Sequence, residues 1–111
     1  MFEKNLNISY LLDFYGELLP DRKRTVMEMY YNEDYSLSEI ADEIDISRQG
    51  VRNIIKKCET ELFFYEEKLG LAKKMLVVEG YALSLNELTK NQDVPEDIKE
   101  EILRLTEAIK Q

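Results

Sequence analysis

The apolar positions of this chain recur in steps of three and four almost from end to end. That spacing lines one face of an α-helix, whereas a half-buried strand would alternate every second residue. Ile8, Leu11, Leu12, Phe14, Tyr15, Leu18 and Leu19 form the first such stripe. Pro20 is expected in the first turn of a second helix, where its missing N–H costs nothing, with Asp21 beside the positive end of the helix dipole. That helix should run to about Asn32, with Val26, Met27, Met29, Tyr30 and Tyr31 on or near its buried face. The polar stretch 32–35 then reads as a loop.

The densest local pattern lies between Leu37 and Lys57. Ser36 and Glu39 have the spacing of a capping box, the serine oxygen accepting from the Glu39 amide and the glutamate reaching back to the Ser36 amide. Ile40, Ala41 and Ile44 share one face of a short helix, Ile46 falls in a turn, and Ser47 is a second candidate N-cap. Val51 with Ile54 or Ile55 gives the inner face of the next helix, and small Ala41 lets the two helices cross closely. This is the spacing of a helix-turn-helix, which sets its second helix into the major groove of DNA. The bihelical angle demands a sharp turn, so Asp45 should sit at or near positive φ, which Asp tolerates better than most residues. The outward face of the second helix carries Arg48, Gln49, Arg52, Asn53, Lys56 and Lys57. Arg48, Arg52 and Lys56 suit phosphate or guanine, and Gln49 and Asn53 suit adenine.

Beyond the motif, Ile55, Cys58, Leu62, Tyr65, Leu69, Ala72, Leu76, Glu79 and Leu83 continue the alternating steps as a heptad seam. A long helix is expected here, bent or broken near Gly70, with residues 86–94 as a linker or ragged helix end. Pro95 should open a last helix, with the stripe Ile98, Ile102, Leu105 and Ile109. The whole is an all-α fold: a helix-turn-helix bundle over 1–61 and a helical extension over 62–111, in one compact domain overall. The extension has more apolar surface than its own hairpin covers. Leu62, Tyr65, Leu69, Leu76, Leu83, Ile102 and Leu105 are therefore the expected contact between two copies, with Leu71, Val77, Val78 and Leu103 left exposed otherwise.

Charge complicates the DNA reading. The 111 residues carry a net charge of −8, whereas neutralising phosphates supplies much of a DNA-binding protein's affinity. The distribution restores part of the case, because residues 47–57 hold Arg48, Arg52, Lys56 and Lys57 and no acid. Arg22, Lys23 and Arg24 form a second basic run that could lie nearby. Against this, Glu39, Asp42, Glu43 and Asp45 make the first motif helix acidic, where it should cross the phosphate backbone.

The residue inventory argues against catalysis. Histidine is absent, which removes the commonest general base and metal ligand. The single Cys58 has no partner for a zinc site and lies on the apolar seam. No phosphate-binding glycine loop or nucleophile elbow occurs. The reading is of a non-enzyme with no cofactor and no metal. Of the seven tyrosines, Tyr10, Tyr30 and Tyr65 sit at helical spacing with aliphatics and Tyr31 and Tyr35 are placed to cap the same core, which reads as core packing rather than as a stacking platform for single strands. One cysteine, no leader and no membrane-spanning run place the chain in a reducing cytoplasm.

From Leu18 to Glu61 the chain resembles region 4 of bacterial sigma-70-type factors, through LLPDRKRTVMEMYY and SLSEIADEIDISRQGVRNIIKKCETEL. Over nearly its full length it is similar to the YlxM family of small bacterial helix-turn-helix proteins, through SLSEIADEIDISRQGVRN and TELFFYEEKLGL. The resemblance implies an all-helical DNA-binding regulatory protein. Through the family's usual gene neighbours, it also implies a part in the signal recognition particle pathway and contact with that particle's components. Two departures matter. Asp45 stands where such turns commonly have Gly. Gly50 stands where sigma factors commonly carry a long side chain, which leaves one base-reading position blank. A second reading therefore stands beside the first: a protein- or RNA-interaction adaptor of that pathway, without sequence-specific DNA binding.

Overall fold

The computed structural model describes residues 6–110. All regular structure in them is helical: α1 (Leu6–Tyr15), a 3-10 turn (Gly16–Leu18), α2 (Asp21–Tyr31), α3 (Leu37–Ile44), α4 (Arg48–Leu69), α5 (Leu71–Asn91) and α6 (Glu96–Lys110). The chain divides into two compact units, Met1–Gly70 and Leu71–Gln111.

In the first unit α4 is the central helix, and α1, α2 and α3 all pack on it. Its inward residues Val51, Ile55, Cys58 and Leu62 have no solvent exposure. They meet Ile8, Leu12 and Tyr15 of α1, Val26 and Met27 of α2 and Ile40 of α3 in one buried core. Of the two candidates for the inner face of α4, Ile55 is the buried one, and Ile54 stays half-exposed. Tyr15, Tyr30 and Tyr31 are core residues, as expected. The hydroxyl of Tyr15 donates to Glu66 at 2.6 Å and that of Tyr31 donates to Glu59, so each buried ring keeps its polar tip satisfied at the rim.

Local chemistry sets the helix ends. Pro20 precedes α2 as its N-cap, one place earlier than expected, with φ −57° and ψ 146°. Its fixed φ fits that position, and its carbonyl accepts from the Arg24 amide at 2.9 Å. The Ser36 capping box is complete, with both bonds at 3.0 Å. At the far end of α4, Gly70 takes the left-handed conformation (φ 62°), and its amide bonds to the Glu66 carbonyl at 2.8 Å. This glycine C-cap stops the helix and breaks the long heptad seam at the expected place.

The division at Gly70 falls later than the 61/62 joint read from the sequence. Leu62 is fully buried in the first unit, and the Tyr65 ring lies 6.0 Å from that of Tyr15. Both residues of the expected contact between copies are thus engaged inside their own unit. The first half of the heptad stripe packs against α1 and α2.

In the second unit α5 and α6 pack on each other as a hairpin. Of the two readings of residues 86–94 the helix end is the one seen: α5 runs through Asn91, and residues 92–95 connect it to α6. The Asn86 amide donates to the Thr106 hydroxyl at 2.7 Å across the hairpin, and that hydroxyl donates to the Ile102 carbonyl at 2.9 Å. Only Ala72, Ala82 and Thr106 are buried in this unit among the described residues. Half-buried Met75, Glu79, Asn86 and Thr89 complete the same face of α5 at steps of three and four. The hairpin's own seam therefore mixes small and polar residues with Met75, Ile102 and Ile109, and the leucines of α5 stay exposed.

Candidate nucleic-acid interface

The turn between α3 and α4 is built from three residues. Asp45 is left-handed (φ 58°, ψ 52°), the conformation expected of it, and its amide bonds back to the Ala41 carbonyl. The Ile46 amide reaches the same carbonyl at 3.1 Å, which doubles the closure of α3. Ser47 then caps α4, its hydroxyl oxygen accepting from the Gly50 amide at 3.0 Å. Ala41 and Ile40 are buried beneath the crossing, and Ile44 and Ile46 are half-buried at its edge. A β-carbon at Gly50 would lie 3.3 Å from Ile46 and from the Ser47 oxygen. That position faces the turn, where a side chain would crowd Ile46 and Ser47.

With the core at Val51, Ile55 and Cys58, helical geometry fixes the rest of α4. Gln49, Asn53 and Lys56 occupy the opposite, outward face and are exposed. Arg48 and Arg52 lie on the flank toward α3, and Lys57 and Ile54 on the flank toward α2. The Gln49 amide donates to the Asn53 side-chain oxygen at 3.1 Å, so the two adenine-type readers brace each other one turn apart. An Arg48 guanidinium nitrogen lies 3.5 Å from the Ser38 hydroxyl oxygen, which draws that side chain toward α3. Beside it, Leu37, Arg48, Gln49 and Arg52 line a hollow of about 430 Å³.

On the other flank, Lys23 of α2 joins Asn53, Ile54, Lys56, Lys57 and Thr60 of α4 around a groove of about 620 Å³. Lys23 and Thr60 are additions to the residues chosen from the sequence. The basic run 22–24 was a visible signal for Lys23, but only the packing of α2 on α4 places it beside Lys56 and Lys57. Arg24 of the same run pairs with Glu28 at 3.3 Å. Of the expected contact between copies, Leu69, Leu76, Leu83 and Leu105 are exposed, Ile102 is half-exposed, and Leu62 and Tyr65 are engaged as described.

Cys58 is fully buried, and desolvation, helped by Glu61, pushes its thiol up to about 11. It stays protonated at neutral pH, the reverse of an activated nucleophile. Tyr30 is also shifted upward, first by burial and then by Glu59, with Arg52 opposing. Among the described residues no group of His, Cys, Asp and Glu has the geometry to hold a metal ion, and no helix is long and apolar enough to cross a membrane.

The fold and this surface define the chain as an all-α helix-turn-helix protein. It belongs to the UPF0122 family, whose description reads "Putative helix-turn-helix protein, YlxM / p13 like", and matches the family model over residues 2–110. A UPF0122 protein of Thermoanaerobacter sp. (strain X514) is 45% identical over 109 residues, covering 94% of this chain and 88% of that one. One of Listeria monocytogenes is 42% identical over 106 residues, covering 95% and 96%. A third, of Caldanaerobacter subterraneus, is 58% identical over 69 residues, and the match spans 62% of this chain and 59% of that one.

Proposed function

We propose that this chain is a cytoplasmic DNA-binding regulatory protein that acts as a homodimer, with α4 as its recognition helix. The observation that carries the reading is the coincidence of two independent features. The exposed face of α4 beyond a closed helix-turn-helix turn is also the most basic stretch of an acidic chain. Arg48, Arg52, Lys56 and Lys57 meet phosphates or guanine, and Gln49 and Asn53 read adenine edges. The setting we propose, on the resemblance noted in the sequence, is the signal recognition particle pathway, with that particle's components as the protein contacts. The role is binding rather than catalysis, as the high thiol pKa of Cys58 and the absence of histidine favour.

The dimer rests on α5. Leu76, Val77, Tyr81, Leu83, Leu85 and Leu88 are all exposed, on the sides of α5 other than its seam with α6. So much exposed apolar surface on one element marks a partner interface. A two-helix unit from 71 to 111 is also too short to bury an adequate core alone. A second copy of the same hairpin completes a four-helix bundle and pairs two helix-turn-helices for a palindromic site.

The test is a gel shift on random duplex DNA and on a structured RNA at two salt concentrations, with the parent and with Arg48→Glu plus Arg52→Glu. Salt-sensitive duplex binding that the double variant loses supports the reading. A double variant that binds as the parent does refutes α4 as the contact surface. Binding to RNA alone replaces the reading with the adaptor, which would touch phosphates by shape, since the deep groove of an RNA helix does not admit α4.

A further inference from the structure

The groove between α2 and α4 has a chemistry distinct from the base-facing surface of α4. Its lining is three ammonium groups (Lys23, Lys56 and Lys57), the Asn53 amide and the Thr60 hydroxyl, over the aliphatic side chain of Ile54. No carboxylate lines it. Lysines act as compact point charges with rotatable donors, which suits a tetrahedral phosphate better than a base edge. One acid pairs with this set from its rim. Glu61 lies 3.5 Å from the Lys23 ammonium, and the pair is about one-third exposed on both sides (32% and 37%).

We infer that this groove is a binding site for a backbone phosphate of duplex DNA, and that Glu61 holds Lys23 in the phosphate's stead until the duplex arrives. The inference rests on the DNA-binding reading and deepens it. A helix lying in the major groove has a phosphate backbone along each flank. On α4 the flank toward α3 offers Arg48 and Arg52, and the flank toward α2 offers Lys57 with Lys23 brought in from the neighbouring helix. Gln49 at the edge of the first hollow and Asn53 and Lys56 at the edge of the second form the outward face where base edges would be. The two basic hollows thus stand on either side of the reading face, as the two strands require. Glu61 makes the second contact conditional, because a phosphate gains Lys23 only by displacing a carboxylate.

The experiment is a mutant cycle on duplex binding across a salt series, using the full chain. The variants are Lys23→Gln, Glu61→Gln, the two combined, and Arg48→Gln plus Arg52→Gln for the opposite flank. Glu67→Gln, an exposed acid further along α4, controls for net charge. Far-ultraviolet circular dichroism confirms the fold of each, since the Lys23–Glu61 pair is too exposed for its loss to unfold the unit. Lys23→Gln should weaken binding about ten-fold at 50 mM salt and flatten the log–log salt slope by about 0.9, the signature of one lost phosphate contact. Glu61→Gln should tighten binding several-fold, more than Glu67→Gln, and that gain should vanish when Lys23 is already Gln. An unchanged slope in Lys23→Gln overturns the site. Equal gains from Glu61→Gln in both backgrounds make Glu61 a general source of repulsion and overturn its role. In either case the DNA reading survives if Arg48→Gln plus Arg52→Gln abolishes binding. A parent that binds no duplex at any salt overturns both.

Discussion

Asp45 holds the turn with a backbone that L-residues adopt only at a cost (φ 58°). Glycine takes that conformation freely, so Asp45→Gly should be neutral or stabilising by up to about 1 kcal/mol. A β-branched Asp45→Val should lower stability by about 1–2 kcal/mol. Thermal melts of the two variants check both signs. Glu39 carries a pH dependence. Its bonds with the Ser36 backbone and side chain hold its carboxyl below the ordinary 4.5. A lowered folded value means that the carboxylate stabilises the native state above 4.5 and loses that effect as pH falls through the folded value. The stability gap between the parent and Glu39→Ala should therefore be full near neutrality and close in the acid range, followed by melts across pH. These residues were legible in the sequence because capping and turn chemistry is local: Ser36, Glu39, Asp45 and Ser47 act on backbone groups within a few positions of themselves.

At the scale of elements, the sequence located the helices better than their partners. The steps of three and four identified α1, α2, α3 and α6, because periodicity belongs to one helix at a time, and the glycine itself marked the break at Gly70. The same steps could not say what a stripe faces. Ile55, Cys58 and Leu62 continue into Leu69, Leu76 and Leu83 without a change of period, yet the first three are fully buried under α1 and α2 and the last three are exposed. Lys23 was in plain view for the same reason, but only the packing of α2 on α4 makes it part of the site. The two glycines of this region behave oppositely. Gly70 needs its left-handed backbone, so Gly70→Ala should cost about 1 kcal/mol. Gly80 lies inside α5 with open space where a β-carbon would be, so Gly80→Ala should add about 0.5–1 kcal/mol. Denaturant titrations of both variants would show the opposite shifts.

For the whole molecule, charge and apolar surface pull in different directions. In the DNA-binding reading proposed above, the acidic excess opposes indiscriminate attraction to phosphates and leaves that attraction to the flanks of α4. The apolar surface of α5 and α6 has no such restraint. Leu76, Tyr81, Leu83, Leu88, Leu103 and Leu105 are each more than two-fifths exposed, while the seam between the two helices is filled by Ala72, Ala82, Asn86 and Thr106. Leaving several large side chains in water forfeits about 1.5–3 kcal/mol for each one that burial would gain. Two such hairpins face to face recover much of that, and the commonest symmetric arrangement is twofold. Native mass spectrometry or light scattering at tens of micromolar should therefore read two chains of 13.1 kDa each. Leu76→Lys plus Leu83→Lys should return a single chain and abolish melting of residues 71–110. The helix-turn-helix unit, whose core includes neither leucine, should keep its own transition. If the parent itself runs as one chain while α5 and α6 stay helical, the apolar face belongs to a different protein and the dimer is wrong.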